Sequence, residues 1–359
     1  MRDKPMNPQP SPPRTSPLSN SPLPAITRSA GAFACFSDRR KYWIIMVVLA
    51  VASLLATFGL LAYDNPMPVG TRRFWIIAER RGEAMTAMGI VALSQAIATV
   101  AFQTVTNNKI ITPGIMGFQS LYAAIHTATI FFFGATALLN ARTFEMFLFQ
   151  IVVMVVFSLI LYGWLLSGKN ATMHTMLLVG IIMGGGLGSF STFMQRLLTP
   201  SEFDVLTARL FGSVNNAESE YYPIAIPLVA GASLVIFALS KKLNIISLGH
   251  DVAQNLGVSH RGVSIIVLVM VSILIAVSTA LVGPMIFLGF LVSMLTYQSA
   301  PTYDHRYLLP MAALLAYMVL TVSYFLMYHV FDAQGVVSIV IELVGAIIFL
   351  IVILRKGSL

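Results

Sequence analysis

Few side chains in this sequence have both the type and the spacing to do chemistry. GWLLSGKN, Gly163 to Asn170, has the G-x-x-x-x-G-K spacing of a phosphate-binding loop. In such a loop backbone N–H groups cradle phosphates and a Ser or Thr after the Lys holds magnesium. Here Asn170 replaces that hydroxyl, Trp164, Leu165 and Leu166 fill the loop, and the segment ends an apolar run instead of following a strand. Nucleotide binding is not expected there. The histidines His126, His174, His250, His260, His305 and His329 are scattered, and the loop pair His250 and His260 lacks the further ligands of a metal site. Surface histidines and no metal are expected. The one cysteine, Cys35, allows neither an intrachain disulfide nor a thiolate cluster. Glu342 differs, because VSIVIELVGAIIF surrounds it with apolar residues and an ionised carboxylate there is costly unless it faces a cavity or a partner. It is a candidate pathway group, against the alternatives of an outer-interface position or pairing within a bundle.

A second kind of chemistry is recognition. LGHDVAQNLGVSHRG, Leu248 to Gly262, is unusually polar for this chain. On a helix Leu248, Val252 and Leu256 share one face with Ala253 beside them, while Asp251, Gln254 and Asn255 turn away, and Gly257 follows as a C-cap. Two turns at 1.5 Å per residue cannot cross an apolar layer of roughly 30 Å. The segment must lie at the membrane surface with its apolar face against the membrane boundary or a partner.

The elements that hold these residues are set by composition. Hydrophobic residues make up 57% and charged residues 10%, where a soluble domain carries about 25% charged. The fold class is therefore an all-α integral membrane protein. The net charge of +8 reflects Lys and Arg collecting on cytoplasmic loops, not nucleic-acid binding. Apolar run length gives about ten transmembrane helices, near 43–62, 84–105, 113–133, 144–166, 174–197, 222–240, 262–282, 284–299, 307–329 and 335–354. Residues 1–42 form a Pro/Ser-rich tail, predicted to be disordered and without a secretory h-region; 43–359 is the membrane domain. Arg39, Arg40, Lys41, Lys109, Lys169, Lys241, Lys242, Arg261, Arg306, Arg355 and Lys356 fall on one side, which places both N and C termini in the cytoplasm. Arg72, Arg73, Arg80 and Arg81 crowd the first outside loop against that trend, for lipid headgroups or for docking an acidic protein. The segment between Arg196 and Tyr222 is expected to carry a short outside surface helix.

Two spans are irregular. GPMIFLGFLVSMLTYQ is short and starts with Gly-Pro, and the second span exits through FQTVTNNKIITPGIMGF. Interrupted helices at corresponding places suggest two inverted halves, spans two to five and seven to ten, around a central pathway. Gln103 in that exit, with Gly184 and Gly188 of GGGLG, joins Glu342 as a pathway candidate, although close helix packing is the favoured use of the glycines.

These segments together resemble a known family. LGHDVAQNLGVS is similar to the LG-x-x-x-A-x-x-LG-V segment of permease subunits of bacterial iron-siderophore and cobalamin ABC importers. GPMIFLGFLVSMLTYQ with DHRYLLP resembles their GP-x-x-F-x-G…DHR-x-LLP block. FQTVTNNKIITPGIMGFQSLY and STFMQRLLTPSEFD resemble the second permease of the petrobactin and anguibactin type. One departure is that the family's R-L-P-R start of the second span reads RRGEA, so Arg81 matches the first arginine and Ala84 replaces the second.

The resemblance implies a type II ABC importer permease in the bacterial inner (plasma) membrane, with no ATPase and no cofactor of its own. Leu248, Gly249, Val252, Ala253, Leu256 and Gly257 then match the coupling helix that sits on a separate ABC ATPase, where ATP is used. A second permease subunit, in a heterodimer, and a periplasmic or lipoprotein siderophore-binding protein docking at Arg80 and Arg81 are the other implied partners. The rival reading is an ion- or proton-coupled secondary transporter that uses Glu342. A membrane-embedded enzyme is disfavoured, because no span carries paired catalytic residues.

Overall fold

The structure is a computed structural model that describes residues 31–62, 71–140, 143–167, 173–329 and 337–356. Most of the Pro/Ser-rich tail, and Lys169 and Asn170 of the phosphate-loop look-alike, lie outside them. Among the described residues every regular element is helical: α1 (Phe36–Ala62), α2 (Arg72–Val105), α3 (Phe118–Asn140), α4 (Phe144–Ser167), α5 (Met173–Gln195), α6 (Pro200–Leu210), α7 (Tyr222–Ala238), α8 (Ser240–Ile246), α9 (His250–Asn255), α10 (His260–Val282), α11 (Ile286–Ser299), α12 (His305–His329) and α13 (Val337–Lys356). In hydrocarbon each backbone polar group must be satisfied within its own segment, which is why apolar runs of this length form helices. Among the described residues seven helices are long and apolar enough to cross a membrane, α1, α2, α4, α5, α7, α10 and α12, with α7 beginning its apolar stretch in the turn before it; α11 and α13 contain shorter apolar stretches.

The apolar runs gave the helix positions closely, with two displacements. The first helix begins at Phe36 and not at Trp43, because Phe33, Tyr42 and Tyr307 pack their rings together and the Thr302 hydroxyl donates to the Ala32 carbonyl. The second helix begins at Arg72, so the four arginines expected in a loop lie on helical turns. Thr71 opens it, its hydroxyl accepting from the Phe74 N–H at 3.3 Å. At 34 residues the helix is roughly 51 Å long, more than an apolar layer of roughly 30 Å needs.

Helix α2 is the axis of the molecule: 83% of its apolar window is buried, against 17% for α1. On α1, Trp43, Val47, Val51, Leu54 and Phe58 stay exposed along one face, suited to lipid. The packing of the two groups of spans is reciprocal. α2 packs on α10 at the centre, α2 on α12 and α10 on α4, while α3 pairs with α5 and α11 with α13.

Breaks occur where glycine permits them. After α2 a short 3₁₀ turn, Pro113–Met116, leads through Gly117 (φ 98°) into α3. α10 ends at Gly283 (φ 91°). A Cβ there would lie 3.1 Å from the Gly212 Cα, so the loop after α6 can lie directly on this break. That contact is held by Ser213 N–H donating to Val282 O at 2.7 Å and Val214 N–H donating to the Tyr324 hydroxyl at 2.6 Å. The expected surface helix between Arg196 and Tyr222 is α6, opened by a capping box between Thr199 and Glu202.

Candidate functional site

One end of the bundle carries α8 and α9. α9 spans six residues, narrower than Leu248 to Gly257, and glycines frame it. Gly249, at φ 101° and ψ 166°, occupies backbone space that is essentially glycine's alone. Gly257 (φ 74°) closes a Schellman turn: its N–H donates to Gln254 O at 2.9 Å and the Val258 N–H to Ala253 O at 2.9 Å. Ala253 is fully buried, whereas Leu248, Val252 and Leu256 are 60%, 43% and 57% exposed. The helix is thus fastened by its small residue and presents three large aliphatic side chains outward, beside the exposed His250, Asp251 and Gln254. His250 Nδ1 lies 3.1 Å from Asp251 Oδ1, and the His250 and His260 rings stand 5.1 Å apart. Among the described residues no group of three His, Cys, Asp or Glu could hold a metal ion.

Behind α9 lies a polar cluster that sequence reading did not assemble. Asn244 of α8 donates through Nδ2 to Asp304 Oδ1 at 2.9 Å, and its Oδ1 accepts from the His305 backbone N–H at 2.9 Å. The same oxygen lies 2.6 Å from His305 Nδ1, and His305 Nε2 lies 2.7 Å from the Thr104 hydroxyl at the end of α2. Arg306 returns to Asp304 through Nη2 at 2.6 Å and Nε at 3.0 Å. Burial would raise the Asp304 pKa, but the bonds from Arg306 and Asn244 outweigh it and hold the carboxyl at about 2. His305, expected at the surface, is buried at 3% exposure. His126 is buried as well, against Gln150 and Tyr122. Imidazoles tolerate burial when neighbours supply hydrogen bonds, and those neighbours are distant in sequence. The D-H-R run was the one available signal.

The opposite end holds the arginines. Arg81 donates through Nη1 to Leu60 O at 3.0 Å and to Leu61 O at 3.1 Å, covering carbonyls that the last turn of α1 leaves open. Arg80 is exposed. Both line a cavity of about 390 Å³ with Asn215, Tyr324, Tyr328 and His329.

The pathway candidates are not gathered in one place. Gln103 is buried, donating to Lys109 O at 2.8 Å. Gly184 is a contact glycine: a Cβ on it would lie 2.9 Å from the Gly117 Cα. Gly188 faces Ser120 more loosely and, with Gly185, Ser189 and Thr192, borders a shallow hollow on the outer face of α5. Glu342 is half-buried on α13.

Comparison with known proteins decides the family. Residues 43–355 match the FecCD transport family. The chain belongs to this family. Within it, the chain is 56% identical to the petrobactin import system permease protein FatC of Bacillus anthracis, over 93% of this chain and 94% of that protein. It is 34% identical to the petrobactin import system permease protein YclO of Bacillus subtilis (strain 168), over 78% and 89% of the two chains. A solved structure described as an inward-facing conformation of a metal-chelate type ABC transporter superposes with a TM-score of 0.70 at 20% identity, covering 89% of this chain and 99% of that one. The FecCD-family fold therefore holds the exposed α9 at one end and the arginine-lined cavity at the other.

Proposed function

We propose that this chain is the permease subunit of an ATP-driven importer that carries a ferric siderophore of the petrobactin class across the bacterial plasma membrane. The observation that carries this reading is α9: a helix too short to span, anchored by Ala253, with Leu248, Val252 and Leu256 exposed. A separate ATPase is the partner that covers them, and the near full-length similarity to FatC supports the cargo. The ten apolar helices α1 to α5, α7 and α10 to α13 serve as spans, with both termini, α8 and α9 in the cytoplasm. That orientation is supported by Lys109, Lys241, Lys242 and Arg306 at the α9 end. A second permease completes the pathway as a heterodimer. Its interface is proposed to include the exposed Gly185, Ser189 and Thr192 on the face of α5, while Gln103 and Gly184 hold the protomer together. Arg80 and the cavity beside it receive acidic groups of a binding protein on the outside.

Alternating access follows from two-state geometry. Closure of the ATPases on ATP displaces α9, and the packed helices shift between inward and outward openings. The chain itself contributes no bond-breaking chemistry; the ATP is cleaved in the partner.

The test is uptake of iron-loaded petrobactin into proteoliposomes that contain this chain with its candidate second permease, ATPase and binding protein. ATP-dependent accumulation is expected, with none from an imposed pH gradient alone. Gradient-driven accumulation without ATP would overturn the reading in favour of a secondary transporter.

A further inference from the structure

The cluster behind α9 joins three elements that are far apart in sequence. Asn244 belongs to α8, Asp304 and His305 open α12, and Thr104 ends α2, the axis of the bundle. The orientation of the Asn244 amide is fixed chemically: a carboxylate can only accept, so Nδ2 faces Asp304, and a backbone N–H can only donate, so Oδ1 faces His305. His305 Nδ1 must then carry the proton it directs to Oδ1, and Nε2 lies 2.7 Å from the Thr104 hydroxyl, whose oxygen is also 2.8 Å from the Val100 carbonyl it donates to. Asp304 is in turn held by two nitrogens of Arg306 and by the Arg306 backbone N–H. Leu243 and Ile246 bury the two sides of the α8 turn, so Asn244 has little freedom to rotate away. α8 connects to α9 through only Ser247, Leu248 and Gly249, and backbone bonds from Leu248 and Gly249 to Ile245 and Ile246 close this joint.

We propose that Asn244, Asp304, His305 and Thr104 form a clamp that makes the α8–α9 unit move as one body with α2 and α12, so that displacement of α9 reaches the helices of the pathway. This rests on the reading of α9 as the ATPase contact. Asn244 and His305 are positioning residues: they touch neither cargo nor nucleotide, and their work is to remove slack between the driven element and the driven helices. Apolar burial is non-directional, whereas directional hydrogen bonds, one of them to an ionised carboxylate, single out one relative position.

The experiment measures petrobactin transported per ATP hydrolysed by the full reconstituted complex. Asn244→Leu keeps the volume of the side chain but removes its three hydrogen bonds, and is expected to lower that ratio about tenfold while basal ATP hydrolysis and copurification of the ATPase persist. Asp304→Asn, which can still accept from Asn244, should retain most of the coupling, and Asp304→Leu should not. Thr104→Val removes a single hydroxyl from the far end of the clamp and supplies the reading if Asn244→Leu fails to assemble; a several-fold lower ratio is expected. A wild-type ratio in Asn244→Leu, or in Thr104→Val where the former does not assemble, overturns the clamp. Absence of ATP-dependent uptake in the unmodified complex overturns the reading of α9 instead, so the two failures are distinguishable.

Discussion

At the scale of single residues, adjacent side chains of the same type do different work. Arg80 and Arg81 are neighbours, but Arg81 is bonded to the last carbonyls of α1 and Arg80 is exposed. If Arg80 meets a binding protein, as proposed, Arg80→Glu is expected to weaken that association, most strongly at low salt, because exposed charges act on encounter and are screened. Surface-immobilised binding protein titrated at several ionic strengths checks it, and unchanged affinity throughout would remove Arg80 from the docking surface. Arg81→Leu should instead destabilise the fold by about 1–2 kcal/mol by stranding the α1 carbonyls, seen as a lower thermal midpoint in detergent. Glu342 separates the two transport classes. Glu342→Gln keeps shape and hydrogen bonding but not charge, and uptake by this variant should still require ATP and gain no dependence on a proton gradient. Loss of gradient-driven accumulation with surviving exchange would identify a proton carrier.

At the scale of elements, α9 owes its shape to its two glycines, and the ATPase contact proposed for it would be made by its aliphatic face. Neither Gly249 nor Gly257 has an atom within 4 Å of a built Cβ, so substitution there costs only backbone strain. Gly249→Ala should cost more than Gly257→Ala, roughly 1–3 kcal/mol against about 1 kcal/mol, because a left-handed residue at a C′ position is tolerated better than the extended positive-φ region at Gly249. The order of ATPase affinities for the two variants measures it. If this face docks in an apolar groove of the ATPase, as proposed, Val252→Asp with Leu256→Asp places two charges there, and ATP-driven uptake should fall at least about tenfold while the membrane domain stays folded. Normal transport with copurified ATPase would show that this face is not the contact. Helix α2 makes the complementary point. Its apolar run marked the span, but the run did not show that twelve further residues, from Arg72 to Glu83, belong to the same helix. Charged turns outside the apolar layer leave no hydropathy signal.

At the scale of the whole molecule, the long apolar helices were legible because hydropathy is a local property: a run long enough to cross hydrocarbon must satisfy its own backbone, wherever its neighbours lie. The short α9 was legible for the same reason, since the i, i+4, i+8 spacing of Leu248, Val252 and Leu256 and the flanking glycines are all contained in ten residues. The paired breaks after α2 and α10 also announced themselves, through Pro113 and Pro284 and their neighbouring glycines. What only the tertiary structure decided is which polar groups meet. Asn244 finds His305 sixty-one residues away and Thr104 finds it across two hundred and one; nothing in the local pattern of a His, a Thr or an Asn names such a partner. Burial of His305 and His126, the use of Arg81 on α1, and the glycine contact between Gly117 and Gly184 were set in the same way. Apolar side chains specify their environment alone, because hydrocarbon is interchangeable, but a hydrogen bond needs one partner at one distance and angle, and the folded bundle supplies it.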